Sequence, residues 1–279
     1  MASGTNSKLV RLFTTVSFAF SLSACAALQP PTASGPRSNV PPYPVAVSDS
    51  SRQESTTVAW QQLSQRYGLP QNSTADLNPL LGTLQSLPDS SKGSIYLPKV
   101  GDNPVQSEEE IRESLRRFIV DVQNLIGAEP AELSLVERVD DPSGAKTARY
   151  EQRPFRYPLR GAFGNLTIRF QGDRRVLNIS SSCLPNSDRL QAALNNLTPK
   201  VTQESAATLI KGHPITAGAQ TVTLPDNTQA EVRQLVAYAL LSPDRQTVEL
   251  HLAWEIDVTN GPIKTIYLDA ISEQVIAVV

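Results

Sequence analysis

The chain has 279 residues, a formal net charge of −2 and an apolar fraction of 40%, which suits a folded protein of one or two domains. Its 25 Lys and Arg against 27 Asp and Glu give a mildly acidic balance, which argues against nucleic acid as a partner. Many of its 21 prolines fall early, which predicts a tract without regular structure ahead of the folded part.

Residues 1–24 are typical of a bacterial lipoprotein signal peptide. Lys8 and Arg11 form a positive n-region, and residues 12–22 form an apolar h-region that is too short to span a bilayer. Small residues then lead to Cys25, as in a lipobox. We therefore expect cleavage before Cys25 and attachment of lipid, palmitate included, to that cysteine. The alternative is a plain secretory signal in which Cys25 is an incidental thiol.

The residue after Cys25 bears on the address of the mature protein. It is Ala26 rather than Asp, which by the usual sorting rule predicts the outer membrane, facing the periplasm. In an organism with a single membrane, the anchor would lie in the outer leaflet of the cytoplasmic membrane. Cleavage would remove Lys8 and Arg11 and so take the net charge from −2 to −4. The mature protein would stay acidic.

Residues 25–92 are predicted to be a Pro- and Ser-rich tether with short helices. The extended part is expected to reach about Ser55. A short helix from Thr57 to Tyr67 would follow, capped by Thr57 and ended by Gly68. A ligand for an SH3-type domain is an alternative explanation of the prolines, but it is improbable in a bacterial envelope.

A first folded unit is predicted for residues 93–186. Its helix should run from Ser107 to about Ile126, because Ser107 and Glu110 form a capping box and Gly127 supplies a stop. Seven apolar residues at helical spacing give this helix one buried face. They are Ile111, Leu115, Phe118, Ile119, Val122, Leu125 and Ile126. The helix should cover an antiparallel sheet.

Four strands are predicted for that sheet. Residues 131–139 and 146–152 should pair around a turn at 141–144. A hairpin follows, with Leu166, Ile168 and Phe170 alternating with polar residues before a turn at 171–173, and a second strand that starts at Val176. Two features near it are assigned ordinary roles. Arg174-Arg175 is interpreted as a solvated turn, and Cys183 as a small buried hydrophobe rather than a nucleophile.

A second unit is predicted for residues 198–279, after a short amphipathic helix or connector at 187–197. Thr202 should cap a helix, and residues 215–230 should form a hairpin or a long loop. Strands are predicted at 232–241, 248–258, 263–268 and 274–279. The two units together predict the α+β class, with two helix-on-antiparallel-sheet layers.

The second of those strands has the cleanest alternation in the sequence. Its apolar residues share one face: Val248, Leu250, Leu252, Trp254, Ile256 and Val258. The other face carries Glu249, His251, Glu255 and Asp257, and it is expected to be solvated rather than to hold an acid–base pair.

The pattern of reactive residues indicates no catalytic site, no metal site and no cofactor. The two histidines, His213 and His251, fall in different elements, and a zinc protease would need two histidines one helical turn apart. His213 follows a helix stop and is expected to interact with the helix end. The sequence also carries no phosphate loop and no dinucleotide fingerprint.

The order of elements resembles the propeptides of thermolysin- and fungalysin-type metalloproteases. Tyr150-Glu151-Gln152 and Gly161-Ala162-Phe163-Gly164 stand where such propeptides carry a strand ending in Tyr-x-Gln and a glycine-bearing segment. The second unit resembles the PepSY module that follows in those propeptides. The matching segments are 198–206, 252–256 and 267–270. The resemblance covers roughly residues 95–279, and it implies that both helix-on-sheet units are PepSY- or cystatin-like.

This resemblance implies a binding role. Propeptides of this type inhibit their own enzyme and assist its folding. Because the printed sequence ends where a peptidase domain would begin, we expect a non-catalytic envelope lipoprotein that binds a peptidase or another envelope protein in trans. The contact surface should be a free strand edge. The alternative is a structural or assembly lipoprotein without a peptidase partner. A hydrolase with an unrecognised site is the least favoured alternative.

Overall fold

The chain combines helices with mainly antiparallel sheets, so the predicted α+β class is confirmed. A computed structural model describes residues 42–279 except 92–93, 103–106, 212–213, 218–219, 225–227 and 261–262. Cys25 and His213 lie outside the described residues. The helices are α1 (Ser50–Arg66), α2 (Glu108–Ile126), α3 (Ser187–Asn195) and α4 (Gln203–Leu209). Among the described residues, no helix has both the length and the apolar character needed to cross a membrane.

The strands form two main sheets and two short hairpins. In chain order they are β1 (Val45–Ala46), β2 (Asp76–Leu77), β3 (Leu84–Ser86), β4 (Leu133–Asp140), β5 (Ala145–Gln152), β6 (Leu159–Gly161), β7 (Asn165–Gln171), β8 (Val176–Ser181), β9 (Pro214–Ala217), β10 (Gln220–Thr223), β11 (Gln229–Leu241), β12 (Val248–Thr259), β13 (Thr265–Asp269) and β14 (Val275–Val278). The first sheet has the order β4-β5-β7-β8. The second has the order β14-β13-β12-β11-β6, with β1 added beside the start of β12.

The α2 helix has the ends and the buried face that the sequence predicted. Ser107 accepts a hydrogen bond from the Glu110 backbone while the Glu110 carboxylate accepts one from the Ser107 backbone, which completes the capping box. Gly127 ends the helix in the left-handed conformation, with φ of 77°. All seven predicted apolar residues are buried in one core with Leu166, Ile168 and Phe170 of the first sheet.

The segment predicted as a tether with short helices contains a helix that is longer than predicted. Helix α1 begins at Ser50 with Asp49 as its cap, eight residues before the predicted cap at Thr57. It packs against α2 and buries Trp60 and Leu63 in the core of the first sheet. The indole N–H of Trp60 donates to the Ser73 carbonyl at 2.9 Å. Ala59, Trp60, Leu63 and Tyr67 pack in or against this core, whereas residues 50–57 carry no apolar side chain that could mark the start of the helix in the sequence.

Two predicted local features are present in the first sheet. The hairpin of β7 and β8 turns at residues 171–175, where Arg175 Nε donates to the Asp173 carboxylate at 2.6 Å. Arg174 donates to the Leu97 carbonyl at 3.0 Å, so this arginine of the predicted solvated turn also makes a tertiary hydrogen bond. Cys183 is fully buried in the core, as predicted.

Two short segments from elsewhere in the chain join the second sheet. Strand β6 follows β5 of the first sheet, yet it pairs in parallel with β11, with Leu159 opposite Ala237 and Gly161 opposite Ala239. Strand β1 pairs antiparallel with β12, with Val45 opposite Glu249. The second sheet therefore contains two strands, β1 and β6, that lie outside the unit predicted at 198–279.

Candidate functional site

A buried polar cluster surrounds His251 on β12, between the residues that pair with β1 and those that pair with β13. His251 Nδ1 is 2.6 Å from the Asp269 carboxylate, and His251 Nε2 is 3.3 Å from the Glu249 carboxylate. The Tyr43 ring covers the imidazole, with ring centroids 3.8 Å apart. Asp269 is completely buried, and His251 is 6% exposed.

Asp269 is the anchor of this cluster. Its carboxylate accepts the backbone N–H groups of Ile271 and Ser272 at 2.8 Å each, in addition to facing His251. Burial acts to raise the pKa of Asp269, but these hydrogen bonds outweigh it and hold the pKa below its ordinary value. A buried carboxylate with this many donors is stable as an anion.

His251 has no nitrogen left for acid–base chemistry on a ligand. Both ring nitrogens face carboxylates, and the Tyr43 ring closes the remaining side. The Tyr43 hydroxyl is itself buried, without a hydrogen bond of normal geometry to any described residue. Burial raises the pKa of Tyr43 above its ordinary value. The arrangement fastens the strand that precedes α1 to the second sheet.

The predicted solvated face of β12 is therefore wrong for two of its residues. His251 and Glu255 are both buried, whereas Asp257 stays partly exposed in an ion pair of 2.6 Å with Arg233. The reason is tertiary: the segment at 43–46 covers His251, and the side chain of Arg160 covers Glu255. Both covering segments are distant in sequence, so alternation along the strand could not reveal them.

Glu255 is the centre of a second polar group. It accepts from Arg160 at 2.7 Å, from Gln234 at 2.8 Å and from the Tyr267 hydroxyl at 3.3 Å. Burial acts to raise the pKa of Glu255, but the hydrogen bonds, led by that of Arg160, lower it below its ordinary value. Burial and the Glu255 charge raise the pKa of Tyr267 to about 12. The ion pair of Arg160 and Glu255 joins β6 to β12.

A cleft of about 340 Å³ opens beside this group, between β6 and the end of β5. The segment at 161–164 forms one wall, and Tyr238 and Tyr267 form part of the other. Gly161 has φ of +103°, and a Cβ there would lie 2.5 Å from the Ala239 carbonyl oxygen. The glycine is required because β6 lies directly against β11. The Gly161-Ala162-Phe163-Gly164 segment therefore has a structural role in the pairing of β6 with β11.

The Tyr150-Glu151-Gln152 segment also has a structural role. The Gln152 side chain accepts from the Leu184 backbone at 2.7 Å and donates to the Leu184 carbonyl at 3.0 Å. It also donates to the Glu132 carboxylate at 3.1 Å. This fully hydrogen-bonded, buried amide fixes the end of β5 against the segment that follows β8.

Cys183 lies outside these clusters, and its thiol is buried. Burial raises the pKa of the Cys183 thiol to about 12, so this cysteine is not a thiolate at neutral pH. Within the described ranges, no three His, Cys, Asp or Glu side chains are grouped so that they could hold a metal ion.

The outer edge of the first sheet is open. Strand β4 pairs with β5 on one side, and among the described residues no strand pairs with its other side. Three apolar residues on it are exposed: Leu135 by 38%, Val136 by 44% and Val139 by 43%. A bulge at Val136 separates two straight runs, because Leu135 pairs with Tyr150 and Glu137 with Arg149. The sequence predicted a free edge but did not say which.

Comparison with known proteins finds no family model that matches this chain and no curated protein that matches it.

Proposed function

We propose that this protein is a non-catalytic envelope lipoprotein that binds an extended segment of a partner polypeptide along β4. The partner would be a peptidase or another envelope protein. The proposal includes the finer fold assignment, a propeptide-like unit followed by a PepSY-like unit. Its support is the sequence resemblance together with the helix-covered antiparallel sheets.

The free edge of β4 is the observation that carries the proposal. Its backbone N–H and C=O groups on that side have no strand partner within the described residues, and an added strand would satisfy them. The exposed side chains of Leu135 and Val139 would give such a strand apolar contacts. Ion pairs from Lys146 to Asp140 and from Arg149 to Glu137 hold β4 onto β5, so the edge is firmly placed.

Site-specific photo-crosslinking tests the surface. A photoreactive residue at Val139 should crosslink to a purified envelope metallopeptidase, whereas one at Val58 on α1 should not. Val58 is a matched control, because it is an exposed valine of similar accessibility, 50% against 43%. The wild-type protein should also slow cleavage by that peptidase.

Substitution at the same position gives the second measurement. Val139→Lys places a charge on the edge strand and should abolish the inhibition, because a charged edge resists pairing with another chain. Val58→Lys on α1 serves as the matched control. Equal crosslinking at Val139 and Val58, or no slowing by the wild type, would remove the proposal. Crosslinks from Val139 to cell-wall or outer-membrane components alone would favour a structural lipoprotein instead.

The lipid anchor is tested separately. Cys25→Ala should move the protein from the membrane fraction to the soluble fraction and abolish incorporation of labelled palmitate. Cys183→Ala is the matched control, since the buried Cys183 thiol is not expected to be lipidated. Retention of label in the Cys25→Ala variant would contradict the assignment.

A further inference from the structure

The free side of β4 presents a fixed set of main-chain groups. The Asp141 N–H donates to the Ala145 carbonyl at 2.7 Å, and β4 keeps the same register with β5 back to Glu137. Hydrogen-bonded and non-hydrogen-bonded pairs alternate along an antiparallel ladder. The main-chain groups of Arg138 and Asp140 therefore point away from β5. A strand added to this edge would form its hydrogen bonds with those two residues.

The side chains of β4 alternate between the two faces of the sheet. Arg138 pairs with Ala148, which is buried in the core that α2 covers, so Arg138 and Asp140 lie on the α2 face. Glu137 and Val139 lie on the opposite face. An added strand would thus meet a different set of side chains on each face.

The edge has one exposed apolar residue on each face. Val139 is 43% exposed on the face away from α2. Leu135 is 38% exposed, and beyond the bulge it pairs with Tyr150, which belongs to the core under α2. Leu135 therefore lies on the α2 face. The bulge is the reason that these two residues, four apart in the sequence, lie on opposite faces.

Two carboxylates on the edge each keep an unused oxygen. Glu137 Oε2 accepts from Arg149 at 2.6 Å, and Asp140 Oδ2 accepts from Lys146 at 2.7 Å. The other oxygen of each carboxylate accepts no hydrogen bond from any described residue, and the two side chains are 46% and 59% exposed. Both cations lie on β5, about 5 Å further from an added strand than β4 itself. The carboxylates would be the nearer charges.

The single basic residue of β4 does not reverse this charge. Arg138 forms an ion pair with Glu108 of α2, and its side chain is only 20% exposed. The edge therefore presents mainly negative charge to a strand that approaches it, and complementary charge on the partner would favour pairing.

We propose that β4 selects a basic extended segment. In an antiparallel partner strand, two Lys or Arg side chains three residues apart would face Asp140 and Glu137, and an apolar residue directly after each would face Val139 and Leu135. An odd spacing is required because the two carboxylates lie on opposite faces. This inference rests on the proposed binding along β4 and adds the chemistry of the partner. Main-chain hydrogen bonds would supply attachment, and the side-chain pairs would supply selectivity.

Three peptides test the selectivity on the full chain purified in detergent. The basic peptide is acetyl-Ser-Lys-Val-Thr-Lys-Val-Ser-amide; Gln replaces both lysines in the neutral peptide, and Glu replaces them in the acidic one. A photoreactive residue at Val136, in the bulge, reports binding and leaves Leu135 and Val139 intact. Half-maximal crosslinking should need about tenfold less of the basic peptide than of the neutral one, because each cross-strand charge pair contributes about threefold. It should need still more of the acidic peptide, and 0.5 M salt should remove most of the difference.

Charge reversal connects the selectivity to the edge. A Glu137→Lys, Asp140→Lys variant should prefer the acidic peptide, a result that an unfolded edge could not give. A Glu137→Gln, Asp140→Asn variant should bind the basic and neutral peptides equally. The control is Glu54→Lys, Glu231→Lys, which changes the net charge equally at exposed residues of α1 and β11 and should keep the wild-type preference.

The outcomes separate this inference from the proposed function. Equal half-maximal concentrations of the basic and neutral peptides in the wild type, or an unreversed preference in the charge-reversed variant, would overturn the selectivity and leave binding along β4 standing. A reversed preference in the control variant would also overturn it, because net charge rather than the edge would then be recognised. Absence of crosslinking with all three peptides would overturn binding along β4 itself.

Discussion

Asp269 and Arg52 are both buried charges in the described part of the chain, but their surroundings are opposite. Asp269 faces His251 and accepts two backbone N–H groups, whereas two nitrogens of Arg52 have no partner. Asp269 lies in a closed cluster, and Arg52 lies beside a cavity. The comparison teaches that burial alone does not decide what a charge contributes to the fold. A buried charge whose hydrogen bonds are complete stabilises the fold, and one whose hydrogen bonds are missing destabilises it.

The largest expected effect comes from removing the satisfied charge. Asp269→Ala leaves His251 facing Glu249 alone and two buried N–H groups without acceptors, and it should lower the free energy of unfolding by about 3–5 kcal/mol. Asp257→Ala is the control, because its ion pair with Arg233 is partly exposed and should contribute roughly 0.2–1 kcal/mol. Urea unfolding measures both. A loss at Asp269 no larger than that at Asp257 would break the comparison.

Glu255 should have an intermediate effect. Its side chain is 11% exposed, but that of its partner Arg160 is 33% exposed, so part of the attraction is screened by solvent. Glu255→Gln should lower the free energy of unfolding by about 1–2 kcal/mol. Proteolysis at the Arg153–Arg160 segment should also become faster, since β6 loses its tie to β12. Unchanged proteolysis at this segment would show that the main-chain pairing of β6 suffices.

Acid should weaken the same two clusters. The folded-state pKa values of Asp269 and Glu255 lie below their ordinary values of 3.8 and 4.5. A carboxyl group with a lowered pKa stabilises the fold above its unfolded-state pKa, and this contribution is lost as the pH falls through the folded-state value. The free energy of unfolding should therefore fall from about pH 4.5 downward. In an Asp269→Asn, Glu255→Gln double variant the slope should be smaller; an identical slope would contradict the assignment.

The smallest effect is expected for Tyr43→Phe. Tyr43→Phe removes a buried hydroxyl without a normal hydrogen bond and keeps the ring that covers His251, so the free energy of unfolding should change by less than about 0.5 kcal/mol. Tyr43→Ala, which removes the ring, should cost about 3 kcal/mol or more. A large loss with Phe would mean that the hydroxyl donates to Asp269 in solution.

Local signals predicted the parts of the fold that are themselves local. The α2 helix could be placed from Ser107, Glu110 and Gly127 because caps and a single apolar stripe are read within one element. The start of α1 could not, since residues 50–57 carry no apolar side chain. In the same way, a strand as short as β1 or β6 has no period to detect.

The candidate site around His251 and the buried Arg52 both depend on contacts between distant segments. The burial of His251 requires Tyr43, and that of Arg52 requires Gly82 and Gly127. Nothing in the neighbours of Arg52 in sequence distinguishes it from a solvated arginine in the first turn of a helix. Two glycines between apolar and polar segments, at 82 and 127, were the available signal, but a glycine alone does not say which side chain it makes room for.

The parallel pairing of β6 with β11 has a consequence for how this protein unfolds. The chain leaves the first sheet after β5, contributes an edge to the second and returns to the first at β7, so residues 198–279 alone cannot complete the second sheet. A cut between residues 186 and 198 would yield halves that each expose freshly unpaired backbone. Heat or denaturant should melt both sheets in one cooperative transition, and the unfolded state would be reached without a stable half-folded intermediate.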